Sequence, residues 1–393
     1  MACGEVGWRT AVAGIQTYFI RGPSWPSRNL KRTPIRGSIS RIPAYVPGKS
    51  HHDVGRAIVK LSSNENPYGP PPRAVEAVRK AASEMHRYPD AQARELRTRL
   101  SEYLDVPYEC VSVSGGSDDI LSNIAKLYLG EGDNLVTHSG FMTYLTISLS
   151  MGAERRLVPD AAEPKINTDG LLEACDGRTK ILLVCTPNNP TGAILSRGQT
   201  LQLLDKAGEI GIVVFDEAYS EFSEEYWSPI HEILERDLDA VVTRTFSKAF
   251  GLAGLRVGYS VAPRRITKHL ELVRMPFSVS SLAQAAAIAA LDDRAIVEDR
   301  IRRIRESRQL IARELERLGL KVIPSQANFV MVDVGAIGMD AASFSSLLLE
   351  RRIAVRDLST FGYPRHVRIT VGTEDQNRLL LEAVGEVISP HEA

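Results

Sequence analysis

The sequence predicts an α/β fold, with a mostly parallel sheet covered by helices and a smaller α+β domain attached. Three observations predict it. The runs KILLVC and GIVVF are short, continuous and apolar, and each ends in polar turn residues, as strands buried on both faces do. Between them SRGQTLQLLDKAGEIG has helical spacing, with Ser196 placed as N-cap and Gly211 as stop, so the three segments form a βαβ unit. Beyond a long amphipathic helix from Arg294 to about Leu318, the strand-like segments KVIPSQANFVMVDV and HVRITVGT follow a different arrangement.

Taken in order, the chain divides into an extension (1–37), an arm joining the smaller domain (38–68), a large domain (69–275) and a small C-terminal domain (276–393). The extension carries Arg9, Arg21, Arg28, Lys31, Arg32 and Arg36 against the single acid Glu5, and no sustained period. It reads either as an organelle transit peptide or as a loosely packed extension from an upstream start. In the long helix Ile301, Ile304, Leu310, Ile311, Leu315 and Leu318 are expected on one stripe, with the arginines on the other. No internal repeat or low-complexity tract interrupts the pattern.

Composition excludes several classes. The chain has 393 residues, 44% apolar and 24% charged, with 48 Lys+Arg against 48 Asp+Glu. That balance gives no global field to attract nucleic acid, so small molecules or a second copy are the expected partners. Cys3, Cys110, Cys175 and Cys185 show neither CxxC pairing nor disulfide spacing, which fits a reducing, cytoplasmic compartment. No apolar run approaches the roughly 20 residues of a membrane-spanning helix.

The chemistry gathers where strands end, as it does in open α/β sheets. Gly115 and Gly116 precede Ser117 and Asp118 at the start of a helical pattern, whose open N–H groups suit a phosphate; an ordinary capped turn would look the same. Asn188 and Asn189 follow one strand and read singly as turn residues. Asp216 closes IVVF, an odd place for a carboxylate unless a cation or donor meets it. Lys248 lies among Phe246, Ala249 and Phe250, with Thr245, Ser247 and Arg256 close by. A buried lysine for a Schiff base, hydroxyls and an arginine for a phosphate, and a carboxylate for a pyridinium nitrogen are what a pyridoxal phosphate site requires.

The ordered motifs NENPYG, RYPD, NNPTG, DEAYSEF, SKAFGLAGLRVGY and RITVGT resemble those of fold type I pyridoxal-phosphate aminotransferases, and within them the histidinol-phosphate aminotransferase family. The resemblance runs from about Ile39 to the C-terminus. It implies that Lys248 is the Schiff-base lysine and proton carrier, that Asp216 keeps the pyridine nitrogen protonated, and that Tyr219 and Asn189 bond the ring's 3′-oxygen. It places Thr245, Ser247, Arg256 and the amides of Ser117 and Asp118 in the phosphate cup, with Phe141 stacked on the ring. Tyr88 resembles a residue that reaches the cofactor of the neighbouring subunit, which implies a homodimer with shared sites. Arg368 resembles the arginine that forks onto a substrate carboxylate. Arg356 and Tyr45 match positions that join it around a substrate phosphate.

The implied reaction is a ping-pong transfer between L-glutamate/2-oxoglutarate and histidinol phosphate/imidazole-acetol phosphate. An aromatic amino acid aminotransferase, a decarboxylase or other natural-product amine enzyme, and a non-enzymatic cofactor-binding regulator stay open at this level. His138 reads either as a substrate contact or as a turn cap.

Overall fold

The apolar runs form the middle of a seven-stranded sheet. A computed structural model describes residues 33–44, 47–49, 57–138, 140, 142–160 and 165–388. In chain order its strands are β1 (Val59–Lys60), β2 (Val111–Ser114), β3 (Asn134–His138), β4 (Glu154–Val158), β5 (Thr179–Cys185), β6 (Ile212–Asp216), β7 (Ala240–Thr245), β8 (Gly258–Val261), β9 (Lys321–Ile323), β10 (Phe329–Asp333), β11 (Ile353–Ala354), β12 (Arg356–Asp357) and β13 (His366–Thr370). The large sheet has the order β2-β8-β7-β6-β5-β3-β4, and only β8 runs against its neighbours.

Alternation along the central strands explains why they read as unbroken apolar runs. Ile181, Leu183, Ile212, Val214 and Val241 pack on one face with Ile120, Ile124, Ile147 and Ile266 from the covering helices. Leu182, Val184, Val213, Phe215 and Val242 join the larger core on the other face. By this period Asp216 continues the first face and Glu217 turns to the second, where Arg244 holds it in an ion pair at 2.7 Å.

The βαβ unit forms where expected. Helix Arg197–Leu204 begins with a capping box, in which Ser196 Oγ accepts from the Gln199 amide at 3.3 Å and Gln199 Oε1 accepts from the Ser196 amide at 3.0 Å. It ends at Leu204, before Gly211, because the chain must turn into β6 there. Gly211 has φ +103°, and a Cβ on it would stand 2.4 Å from the Lys180 carbonyl oxygen.

The smaller sheet is antiparallel with the order β12-β13-β10-β9, and β1 pairs in parallel with β11 beside it. Helix Arg294–Arg317 packs on β9 and on helix Glu374–Ile388. Its stripe corrects the sequence reading. Spacings of three and four carry the buried face through Ile301, Ile304, Arg308, Ile311 and Leu315, so Arg308 is buried and Leu310 is 46% exposed. Arg308 Nη1 donates to the carbonyls of Phe222 at 3.2 Å and Ala327 at 2.8 Å, and burial lowers its pKa to about 10. Among the described residues no helix is long and apolar enough to cross a membrane.

Replacing Arg308 by Ala should lower stability to denaturant by about 1–3 kcal/mol, because the Ala327 carbonyl loses its charged donor. Leu310→Ala should change it by less than about 0.5 kcal/mol. Equal effects in the two urea curves would contradict the buried-arginine assignment.

Candidate active site

The ends of the large sheet's strands open on one polar cavity, which borders on the smaller sheet through Arg356 and Arg368. One end of it is formed by a helix N-terminus, two hydroxyls and an arginine. Helix Ser117–Tyr128 starts after Gly116, whose φ is +97°, and directs its first amides inward. Gly258 of β8 lies against this turn so closely that a Cβ would come within 2.8 Å of both Gly116 C and Ser117 N. Arg256, itself at φ +51°, donates from Nη1 to Ser247 Oγ at 3.3 Å. Ser247 is tied to Thr245, hydroxyl to hydroxyl at 3.0 Å and amide to hydroxyl at 3.1 Å. Two hydroxyls, a guanidinium and a helix N-terminus thus line one end of the cavity.

Lys248 stands in the cavity wall next to this cup. Its Nζ donates to the Ser63 carbonyl at 3.3 Å and lies 5.7 Å from the centre of the Tyr219 ring. Burial, and then the positive charge of Arg368, lower its pKa to about 8. Asp216 sits at the end of β6, 6% exposed, and burial raises its carboxyl to about 6. Its oxygens meet neutral donors: the Tyr144 hydroxyl at 2.7 Å, the Ala218 amide at 3.3 Å and the Thr243 hydroxyl at 3.4 Å. Among the described residues no basic side chain forms an ion pair with it. The Tyr219 hydroxyl accepts from Asn64 Nδ2 at 3.1 Å and from Asn189 Nδ2 at 3.4 Å, and burial keeps this phenol protonated. These groups fit pyridoxal phosphate: the cup for its phosphate, Asp216 for a protonated ring nitrogen, Tyr219 and Asn189 for its ring oxygen, and Lys248 for its carbonyl.

The opposite end holds two arginines. Arg356 and Arg368 are direct partners across β12 and β13, 7% and 5% exposed, with Cζ atoms 5.4 Å from the Phe361 ring centre and 5.3 Å from that of Phe329. Arg368 donates to the Ser62 carbonyl at 2.8 Å and to Asn189 Oδ1.

The structure brings together Ser117, Asp118, Asn189, Asp216, Tyr219, Thr245, Ser247, Lys248, Arg256, Arg356 and Arg368. Tyr45 and Phe141 lie outside the described residues. Tyr88 is away from the cavity, 82% exposed and stacked on Phe277 with ring centres 4.6 Å apart. His138 is not a turn cap: it is buried at the end of β3, its Nε2 accepts the Cys185 amide at 3.1 Å, and burial lowers its pKa to about 4. Sequence reasoning missed Asn64 and Tyr144. Asn64 lies inside the motif NENPYG and Tyr144 three residues after Phe141, but nothing in spacing shows that their side chains reach Tyr219 and Asp216.

The sequence profile of the aminotransferase class I and II family matches residues 56–384. The chain belongs to that family. A histidinol-phosphate aminotransferase of Symbiobacterium thermophilum is 39% identical over 356 residues, 89% of this chain and 97% of its own length. Among solved structures, histidinol-phosphate aminotransferase from Sinorhizobium meliloti in complex with pyridoxal-5′-phosphate aligns with a TM-score of 0.81 at 28% identity, over 93% of this chain and 99% of that one. Aspartate aminotransferase from Thermus thermophilus with maleate aligns with a TM-score of 0.75 at 27% identity, over 86% and 93%.

The close approach at Gly258 gives a direct test of the cup. Gly258→Ala should cost about 1–3 kcal/mol of stability, since backbone rather than a flexible side chain must yield. Inorganic phosphate is expected to raise the melting temperature of the cofactor-free chain, and the substitution should remove that rise. An unchanged phosphate response would show that the cup does not depend on this contact.

Proposed function

We propose that the chain is a pyridoxal-phosphate-dependent aminotransferase that moves an amino group between L-glutamate/2-oxoglutarate and histidinol phosphate/imidazole-acetol phosphate. The observation that carries the substrate is the cross-strand pair Arg356 and Arg368, buried in the same cavity as Lys248. When bound, the cofactor supplies a carbonyl that takes up the amino group and a ring that withdraws electrons from the substrate's α-carbon.

The chain's own residues then do the rest. Lys248, with its pKa lowered to about 8, is poised near neutrality to take the α-proton and return it to the carbon on the other side of the transferred nitrogen. Asp216 keeps the ring nitrogen's proton in place, while Tyr219 and Asn189 orient the ring through its oxygen. Arg356 and Arg368 hold the phosphate of one substrate and the carboxylate of the other in turn, which lets one pocket serve both halves of a ping-pong cycle. The similarity to histidinol-phosphate aminotransferases supports the same substrate pair.

We also propose a homodimer with shared sites. Tyr88 and Phe277 form an exposed stacked pair, and Met85, Leu272 and Met275 add exposed apolar side chains close to them in sequence. A second copy would cover this face and receive Tyr88 near its cofactor. The free cysteines Cys110, Cys175 and Cys185 are consistent with the cytoplasm.

Two measurements check these readings. Holoenzyme mixed with histidinol phosphate or glutamate should convert its absorbance to the pyridoxamine form, and phenylalanine should not. Arg356→Ala should raise KM for histidinol phosphate about 10- to 100-fold, the worth of one charge-assisted contact, with a smaller effect on glutamate. An unchanged KM would remove the phosphate assignment, and conversion by phenylalanine alone would make the substrate aromatic. In sedimentation the protein should run as a dimer, and Tyr88→Ala should weaken cofactor binding. A fully active monomer would refute the shared site.

A further inference from the structure

Asp216 has three neutral donors, and one dominates. The Tyr144 hydroxyl is 2.7 Å from Oδ2, whereas the Ala218 amide and the Thr243 hydroxyl approach Oδ1 at 3.3 and 3.4 Å. Tyr144 is 1% exposed and lies in the first turn of its helix, Thr143–Met151. It fits there because residue 140 is glycine: a Cβ on Gly140 would stand 2.9 Å from Tyr144 Cε2. The phenol's own pKa is raised by burial and by Asp216, so it stays a donor at every working pH. Around the pair, Cys185 from β5, Asp118 from helix Ser117–Tyr128 and Tyr219 from the loop after β6 are the other titratable groups that act on these two side chains. Burial keeps the Cys185 thiol and the Tyr219 phenol neutral. Asp118 opposes ionisation of Asp216, which leaves Tyr144 the strongest group acting in its favour.

We propose that Tyr144 is a positioning residue for amino transfer: its hydroxyl holds Asp216 in orientation and in the ionised form toward the cofactor's ring nitrogen, in a space that Gly140 leaves open. The proposal rests on the cofactor reading above, in which Asp216 faces that nitrogen. Asp216 holds the cationic ring only as a carboxylate. Its raised value, about 6, means that cofactor binding weakens as pH falls through that region. Without the Tyr144 donor the value rises further, and the weakening begins nearer neutrality.

The test is equilibrium binding of pyridoxal phosphate to the full-length chain freed of cofactor, measured across pH by tryptophan fluorescence. Tyr144→Phe keeps the ring and removes only the hydroxyl. Its Kd at neutral pH should rise about 10- to 100-fold, and the onset of weak binding should move to higher pH. Gly140→Ala, which pushes the ring aside without removing the hydroxyl, should shift both quantities in the same direction and serves if Tyr144→Phe folds poorly by circular dichroism. Adding Tyr144→Phe to Asp216→Asn should change Kd by less than about twofold, since the hydroxyl acts through the carboxylate. Wild-type affinity and onset in Tyr144→Phe would overturn the proposal, as would its full effect persisting in the Asp216→Asn background. Wild-type binding by Asp216→Asn itself would instead overturn the pairing of Asp216 with the cofactor.

Discussion

The constraint on which the structure turns is that two ionisable groups of opposite charge type are kept from water in one cavity. Desolvation disfavours the charged form of each, so it raises Asp216 to about 6 and lowers Lys248 to about 8. A carboxylate and an amine whose ordinary values lie far apart are thereby both brought closer to neutrality. The sheet makes this environment. Asp216 continues the face of Ile212 and Val214, so the period that builds the core also aims the carboxylate at the cavity.

Three consecutive residues of the segment after β1 tie the cavity's parts together. The Ser62 carbonyl accepts from Arg368, the Ser63 carbonyl accepts from Lys248, and Asn64 donates to Tyr219. Asn64 is also bound on its amide and its side-chain oxygen by Thr370, and on its carbonyl by Asn328, with φ at +54°. A non-glycine residue in that conformation costs energy, and here every polar group it offers is bonded in return. Arg368 of the smaller sheet and Lys248, which follows a strand of the larger one, are positioned by the same short segment.

Glu217 shows why neighbouring acids serve different ends. It follows Asp216 directly but turns to the other face, where Arg244 and the hydroxyls of Tyr226 and Ser228 satisfy it. Glu217 is fully partnered with a cation and two hydroxyls, while Asp216 meets only neutral donors among the described residues.

Much of this was legible from the chain. Continuous apolar runs can be buried only on both faces, so KILLVC and IVVF announced central parallel strands, and Asp216 and Lys248 stood out because ionisable groups rarely occur in such settings. The stripe of the long helix was misread at Arg308 and Leu310, because a long basic side chain can satisfy itself on loop carbonyls that only the folded chain brings near. Tyr144, Asn64 and the role of His138 were not legible at all. Their partners lie 72, 155 and 47 residues away, and a hydrogen bond depends on where two backbones cross rather than on local pattern. The sequence by itself determined the strand and helix types, the chemistry available and the resemblance that orders it, since these follow from local period and residue identity. Only the tertiary structure decided which donor meets which acceptor, and that Arg356 and Arg368 face each other, because register across strands is set by packing of the whole sheet.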